Sequence, residues 1–240
     1  QYGIEGMFDK ELKGKNGLLQ SVTDVSNVPL TIGNKNIDLP AQDGRNIVLT
    51  LDRNIQAYSE QALARGVKRS GADSGSVIVM DPNTGKVLAM SSLPTYDPSK
   101  YNVVTNAQAF NLGAVNNPYE PGSVMKTFTM ATGIDTGAVK PSSTYVNTDY
   151  IKVEDRTITN ASKGETGTIT FQHALNWSLN TGMVTVAERL GNGTIDSKAR
   201  STMYRYLHDK FKLGELTGIE VSGEAAGRII APDEALSLIH

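Results

Sequence analysis

Apolar positions along the chain recur with two periods. Ile47-Val48-Leu49-Thr50-Leu51 is a β-branched run that predicts a strand, and Asp52 after it is a good helix N-cap. Ile55, Tyr58, Leu63 and Val67 then fall at helical spacing up to Gly71, predicting a helix over that stretch. Ser76 to Met80 and Lys86 to Ser91 are β-rich runs joined by Asp81-Pro82-Asn83-Thr84-Gly85, the composition of a turn, and predict an antiparallel hairpin. Residues 92–121, rich in Pro, Asn, Tyr and Asp, predict a long irregular connection. Pro121 and Gly122 open a helix whose apolar stripe is Val124, Phe128, Ala131 and Ile134, ending at Gly137. Between 138 and 169 the runs are of β type (Tyr150 to Val153, Thr157 to Thr159). Phe171 to Asn176 and Thr181 to Leu190 read as two helical pieces with a break between them, and Ala199 to Phe211 as a further amphipathic helix. Residues 1–42 alternate polar turns with short apolar runs and read as a linker or accessory segment, leaving 43–240 as the main domain. Strands at one end and helices in the middle predict an α+β layered domain.

Composition narrows the chemistry. Hydrophobic residues at 39% and charged residues at 20% of 240 are globular values. Twenty-three Lys+Arg against 25 Asp+Glu give a net charge of -2 without blocks, which argues against nucleic-acid binding. The absence of cysteine removes disulfides, zinc ribbons and thiol nucleophiles, and three scattered histidines predict no metal site. The longest apolar runs, such as Val77 to Met80, are far short of the ~20 residues that cross a bilayer. The N-terminus lacks a signal-peptide pattern and does not begin with Met, as expected of an internal piece of a longer protein.

The candidate chemistry therefore rests on oxygen and amine groups. Ser123 and Lys126 share one face at the start of a predicted helix, where free backbone N–H groups favour an oxyanion and a lysine of lowered pKa can take a hydroxyl proton. By itself the pattern is weak, since about one Ser-x-x-Lys arises by chance in a chain of this length. Ser178-Leu179-Asn180 falls at the break between two helical pieces, where helix capping is the simpler reading. Together the two patterns supply complementary roles: a second hydroxyl to relay a proton and an amide to hold a substrate amide. Lys163, Glu165, Glu154 and Asp155 read as solvated loop charges, Glu120 as a loop residue close to Ser123, and Trp177 with Tyr96, Tyr101 and Tyr119 as groove-lining or partly buried. The glycines around Thr217-Gly218-Ile219 and Ser222-Gly223-Glu224 read as turns.

Tyr119-Glu120-Pro121-Gly122-Ser123-Val124-Met125-Lys126 resembles the first active-site motif of class B penicillin-binding proteins, the peptidoglycan transpeptidases, and Ser178-Leu179-Asn180-Thr181-Gly182-Met183 resembles their second. Gly3 to Gly17 resembles the segment joining the family's pedestal to its catalytic domain. Leu49 to Gln56 resembles the opening of that domain, Met80 to Gly85 its first hairpin, and Thr217 to Glu224 a later loop. Ser-Leu-Asn in place of Ser-Asp-Asn favours a transpeptidase over a class A β-lactamase. The family's third motif, Lys-Thr-Gly or a relative, does not occur before His240, so the chain is expected to correspond to the first two thirds of the catalytic domain, an incomplete form of the serine β-lactamase/penicillin-binding-protein-like fold with an antiparallel sheet and a helical subdomain.

The resemblance implies a D,D-transpeptidase in which Ser123 is acylated by the D-Ala-D-Ala stem peptide or by a β-lactam. It makes Lys126 the general base, Ser178 a proton relay and Asn180 a substrate donor or orienter of Lys126, with Glu120, Trp177 and Thr181 as substrate-binding candidates. No cofactor or metal is implied. The implied partners are peptidoglycan stem peptides, β-lactams and the membrane proteins of cell-wall synthesis. The implied location is the extracytoplasmic face of the bacterial membrane, with anchoring only through an N-terminal helix outside this chain. A catalytically incomplete module, a penicillin-sensing domain and a β-lactamase-like hydrolase are the alternatives.

Overall fold

The computed structural model describes residues 3–20 and 37–233; residues 21–36 of the 1–42 segment, and His240, lie outside them. The chain divides into two compact units, Gln1–Asn117 with Gly218–Ala225, and Pro118–Thr217 with Ala226–His240.

The first unit begins with two short helices, α1 (Gly3–Met7) and α2 (Asp9–Leu12), and a small antiparallel pair, β1 (Leu18–Gln20) with β2 (Ile37–Leu39). The strand expected over 47–51 does not form. The run lies beside the later hairpin, with Thr50 Oγ1 donating to the Val87 carbonyl at 2.6 Å and Asp52 N to the Leu88 carbonyl at 2.8 Å, but it makes no ladder. β-propensity needs a partner edge to be realised. The helix that follows, α3 (Arg53–Ser70), is bounded as the residues predict: Asp52 Oδ1 accepts from the N–H groups of Asn54 and Ile55, and Gly71 closes the helix at φ 68°.

β3 (Gly75–Met80) and β4 (Val87–Leu93) form the expected hairpin, antiparallel with Val77 opposite Ser91 and a bulge between Val79 and Met80. Its turn is closed by Gly85 N donating to Asp81 O at 2.8 Å and by Thr84 Oγ1 donating to Asp81 Oδ2 at 2.7 Å. Gln56 ties α3 to β4 by mimicking a strand: its amide accepts from Met90 N at 2.8 Å and donates to Met90 O at 3.0 Å. The irregular stretch after the hairpin holds two 3-10 turns and a short helix, α4 (Gly113–Asn116). Asn116 Nδ2 donates to Gly223 O at 2.6 Å and so fastens the later loop, where Gly218 and Gly223 take positive φ as turn residues.

The second unit carries the helical subdomain. A 3-10 turn at Gly122–Val124 runs directly into α5 (Met125–Asp135). Four short strands follow, β5 (Thr144–Asn147) antiparallel to β8 (Gly167–Thr170) and β6 (Tyr150–Val153) antiparallel to β7 (Arg156–Thr159). Then come α6 (Phe171–Asn176) and α7 (Asn180–Leu190), broken where the residues predict. Last is α8 (Ser197–Tyr204), which starts two residues before the expected Ala199 because Asp196 Oδ1 caps it through Ala199 N at 2.9 Å, and which widens into a π-helical turn at Arg205–Lys210. Met130, Val139, Tyr145, Phe171, Ala174, Leu179, Met183 and Val186 form one buried cluster, and Leu190, Ala199, Met203 and Leu207 a second.

α5 and α7 meet at Gly133. A Cβ there would stand 2.6 Å from Val186 Cγ1 and 2.9 Å from Val139 Cγ2, so hydrogen is the largest group the contact admits. Gly133→Ala is therefore expected to cost about 1–3 kcal/mol through overpacking, read as a lowered urea midpoint at unchanged m-value.

Candidate active site

Ser123 sits exposed in the 3-10 turn that begins the α5 segment, in a first turn whose backbone N–H groups lack intrahelical acceptors. Lys126 is one turn further on, at the start of α5, and is half-buried. Its ammonium donates to the Ser178 carbonyl at 2.6 Å and lies 3.0 Å from Ser178 Oγ. The structure thus brings Lys126 and Ser178, nominated from two separate motifs, into contact, with Ser123 three residues before Lys126 on the same helical segment. Burial pushes the Lys126 ammonium below its ordinary range, because the charged form loses water that two oxygens only partly replace.

Ser178 reaches Lys126 because the chain reverses at that residue. It has φ 55°, the left-handed region that non-glycine residues occupy at a cost of about 1–2 kcal/mol. The backbone on its α6 side is fixed by Ser178 N donating to Leu175 O at 3.1 Å and by Leu179 N donating to Ala174 O at 2.8 Å. Leu179 is fully buried in the first core cluster. Inward Leu179 leaves its neighbours Ser178 and Asn180 only partly covered. Asn180 opens α7 and donates from Nδ2 to Thr159 O at 2.7 Å, which leaves its second N–H and its carbonyl free for another partner.

The remaining nominated residues are placed differently. Glu120 is exposed in the loop before Ser123, and Trp177, immediately before Ser178, is 51% exposed with His173 6.1 Å from its ring. Thr181 was nominated for substrate contact, but it is 2% exposed and points into the core. Its hydroxyl donates to Asn147 Oδ1 at 2.8 Å, so the Tyr145 phenol at 3.2 Å is the donor to it, and burial pushes that phenol up. Glu165 is not a free loop charge: its carboxylate pairs with His173 Nε2 at 2.7 Å. Asn147 and Asn160, both nearly fully buried beside Thr181, were not nominated. Their signal in the sequence is slight, an Asn ending each of the β-type runs Tyr145-Val146-Asn147 and Ile158-Thr159-Asn160.

Among the described residues no group of three His, Asp or Glu side chains could hold a metal ion, and no helix is long and apolar enough to cross a membrane. A cavity of about 1270 Å³ within the first unit, lined by Leu49, Leu63, Met90, Leu93 and Tyr96 among others, contains none of Ser123, Lys126, Ser178 and Asn180.

Residues 75–238 match the family described as the penicillin binding protein transpeptidase domain. Stage V sporulation protein D of Bacillus subtilis is 29% identical over 99% of the chain, and penicillin-binding protein PbpB of Mycobacterium tuberculosis 30% identical over 97%. The chain spans 35% and 33% of those two relatives, about a third of their length. The crystal structure of a peptidoglycan synthetase from Bifidobacterium adolescentis, 26% identical, superposes with a TM-score of 0.77 over 97% of this chain and 40% of that one. The α+β fold with antiparallel strands and a helical subdomain is therefore that of penicillin-binding transpeptidase domains.

The Lys126 environment has a measurable consequence. In the folded chain its titration, followed by NMR of ¹³C-labelled lysine, is expected to centre below the ordinary lysine value of 10.5. Since the unfolded chain then holds more protons in the window just below 10.5, stability should rise with pH across that window, and Lys126→Met should remove this increment.

Proposed function

The chain belongs to the penicillin-binding protein transpeptidase family, and from that premise we propose that it carries the serine acyl-transfer site of a peptidoglycan D,D-transpeptidase. The observation that carries this reading is the Lys126 ammonium, depressed by burial and held against Ser178 one helical turn from an exposed Ser123.

In the proposed cycle, neutral Lys126 takes the Ser123 hydroxyl proton as Ser123 Oγ bonds to the carbonyl carbon of a D-Ala-D-Ala peptide. The C–N bond breaks, and the departing D-Ala amine receives the proton by way of Lys126 and the Ser178 hydroxyl. An amine from a second stem peptide then attacks the ester and gives up its proton along the same route, and Ser123 regains its own. Asn180, with an N–H and a carbonyl unspent, is suited to the substrate's amide backbone, and Glu120 and Trp177 to the rim. Thr181 contributes from the interior by fixing the start of α7 and not by touching substrate. A β-lactam enters the same first step, its ring amide opening onto Ser123. The corresponding place of work is the extracytoplasmic face of the membrane, beside the other proteins of cell-wall synthesis.

Intact mass of the chain with excess benzylpenicillin is expected to rise by one drug molecule, and Ser123→Ala to give no adduct. Lys126→Arg, which keeps the charge but cannot release its proton, should slow acylation by about 100-fold or more. A folded chain that stays unmodified, or one that turns the drug over catalytically, would overturn the reading.

A further inference from the structure

α7 begins without a cap of its own. The residue at its N-cap is Leu179, whose side chain has nothing to offer the first-turn N–H groups and is committed to the core. The acceptor comes from elsewhere in the chain: Asn160 Oδ1 receives Thr181 N at 3.1 Å. The preceding residue supplies the neighbouring contact, Thr159 O receiving Asn180 Nδ2 at 2.7 Å. Thr159, the last residue of β7, and Asn160 immediately after it therefore fix two consecutive residues at the start of α7. Asn160 is itself held in one orientation. Its N–H donates to Asp149 O at 2.9 Å, and its Nδ2 faces Asn147 Oδ1 at 3.2 Å and Asp149 Oδ1 at 3.3 Å. A flipped amide would set NH₂ against the Thr181 N–H.

We propose that Asn160 is a positioning residue of the Ser123, Lys126 and Ser178 site, capping α7 from outside the helix and so fixing the turn against which Lys126 is held. The inference rests on the acyl-transfer reading for its kinetic consequence, while its geometric core does not depend on it. On the α6 side the Ser178 turn is secured by backbone bonds to Leu175 and Ala174, whereas on the α7 side the side chain that receives a first-turn backbone N–H is that of Asn160, with Asn147 and Tyr145 holding only the Thr181 hydroxyl. Without that acceptor the first turn of α7 loosens, Ser178 leaves Lys126 and water enters beside the ammonium.

Asn160→Ala is compared in the full chain with Tyr145→Phe, which removes one hydrogen bond of the same buried network but leaves Asn160 on Thr181 N. Two quantities are read on chains shown by thermal melt to be folded: the benzylpenicillin acylation rate constant, separated from the non-covalent dissociation constant, and the NMR titration midpoint of Lys126. For Asn160→Ala the rate constant should fall about 10-fold or more while the dissociation constant stays within about twofold. Its Lys126 midpoint should rise by about half a pH unit or more, because admitted water relieves the desolvation that lowers it. Tyr145→Phe should stay within about twofold in rate with its midpoint unmoved. If Asn160→Ala does not fold, Asn160→Ser, whose shorter side chain does not reach Thr181 N, provides the same comparison.

Unchanged rate and midpoint in the Asn160 variant, or equal changes in Tyr145→Phe, would overturn the inference. A wild-type chain that is not acylated, but whose Lys126 midpoint moves on Asn160 substitution, would sink the acyl-transfer reading and leave the positioning role standing.

Discussion

The approach of α5 to α7 at Gly133 is the constraint on which the site depends. Ser123 and Lys126 ride on one helical segment, and Ser178 and Asn180 on the turn that feeds the other, so the spacing of the two helices sets the distance between the Lys126 amine and the Ser178 hydroxyl. Val186 occupies the volume that a side chain at 133 would need, and helices packed this closely are poorly compressible. The hydrogen bonds of Lys126 to Ser178 follow from that packing and add to it only modestly, since each exchanges a bond to water for a bond to protein. Their contribution is geometric, a fixed position for an amine that would otherwise sweep a wide volume.

Beneath the turn lies an arrangement unusual for a core. Thr181, Asn147 and Asn160 are all nearly fully buried, and each is satisfied by the others, by Tyr145 or by Asp149. Buried polar groups left unpaired would each cost about 1–3 kcal/mol, so a network of this kind persists when its members are matched. The match has a cause in the sequence. With Leu179 turned inward, the helix start loses the Ser, Asp or Asn that would normally cap it; Asn160 replaces it by receiving Thr181 N, and Asn147 receives the Thr181 hydroxyl. The left-handed Ser178 is tolerated for the same reason: bonds on both sides over-determine its conformation.

How far these features were legible depended on how local their causes are. Asp52 and Gly71 bound α3 by contacts within one turn, and the Asp81 to Gly85 turn needs only its own five residues, so both could be read from neighbouring letters. Ser123 and Lys126 share a helical face by spacing alone. Ile47 to Leu51 misled, because the same β-branched composition serves a strand when a ladder edge is available and an extended strap when it is not; here Val48 is left 94% exposed. Thr181 misled for a different reason. A polar residue beside a motif looks like a cleft residue, and its inward direction is set by Asn147 and Asn160, 34 and 21 positions away, which no local pattern connects to it.

Exposure along the α5 segment suits the acyl-transfer chemistry proposed for it. A nucleophile must be open to a bulky substrate, whereas an amine acting as its base must be shielded from water to lose its proton near neutrality. Ser123 is exposed and Lys126, three residues later, is half-buried against Ser178, with Met130 beyond them in the core. The burial belongs to one face of the helix, where Met130, Thr132 and Gly133 are covered, while Thr127, Ala131, Ile134 and Asp135 are exposed. The spacing of three residues thus does more than place two groups on one face. It leaves Ser123 exposed and Lys126 half-buried, where lost hydration holds the lysine's pKa below its ordinary value.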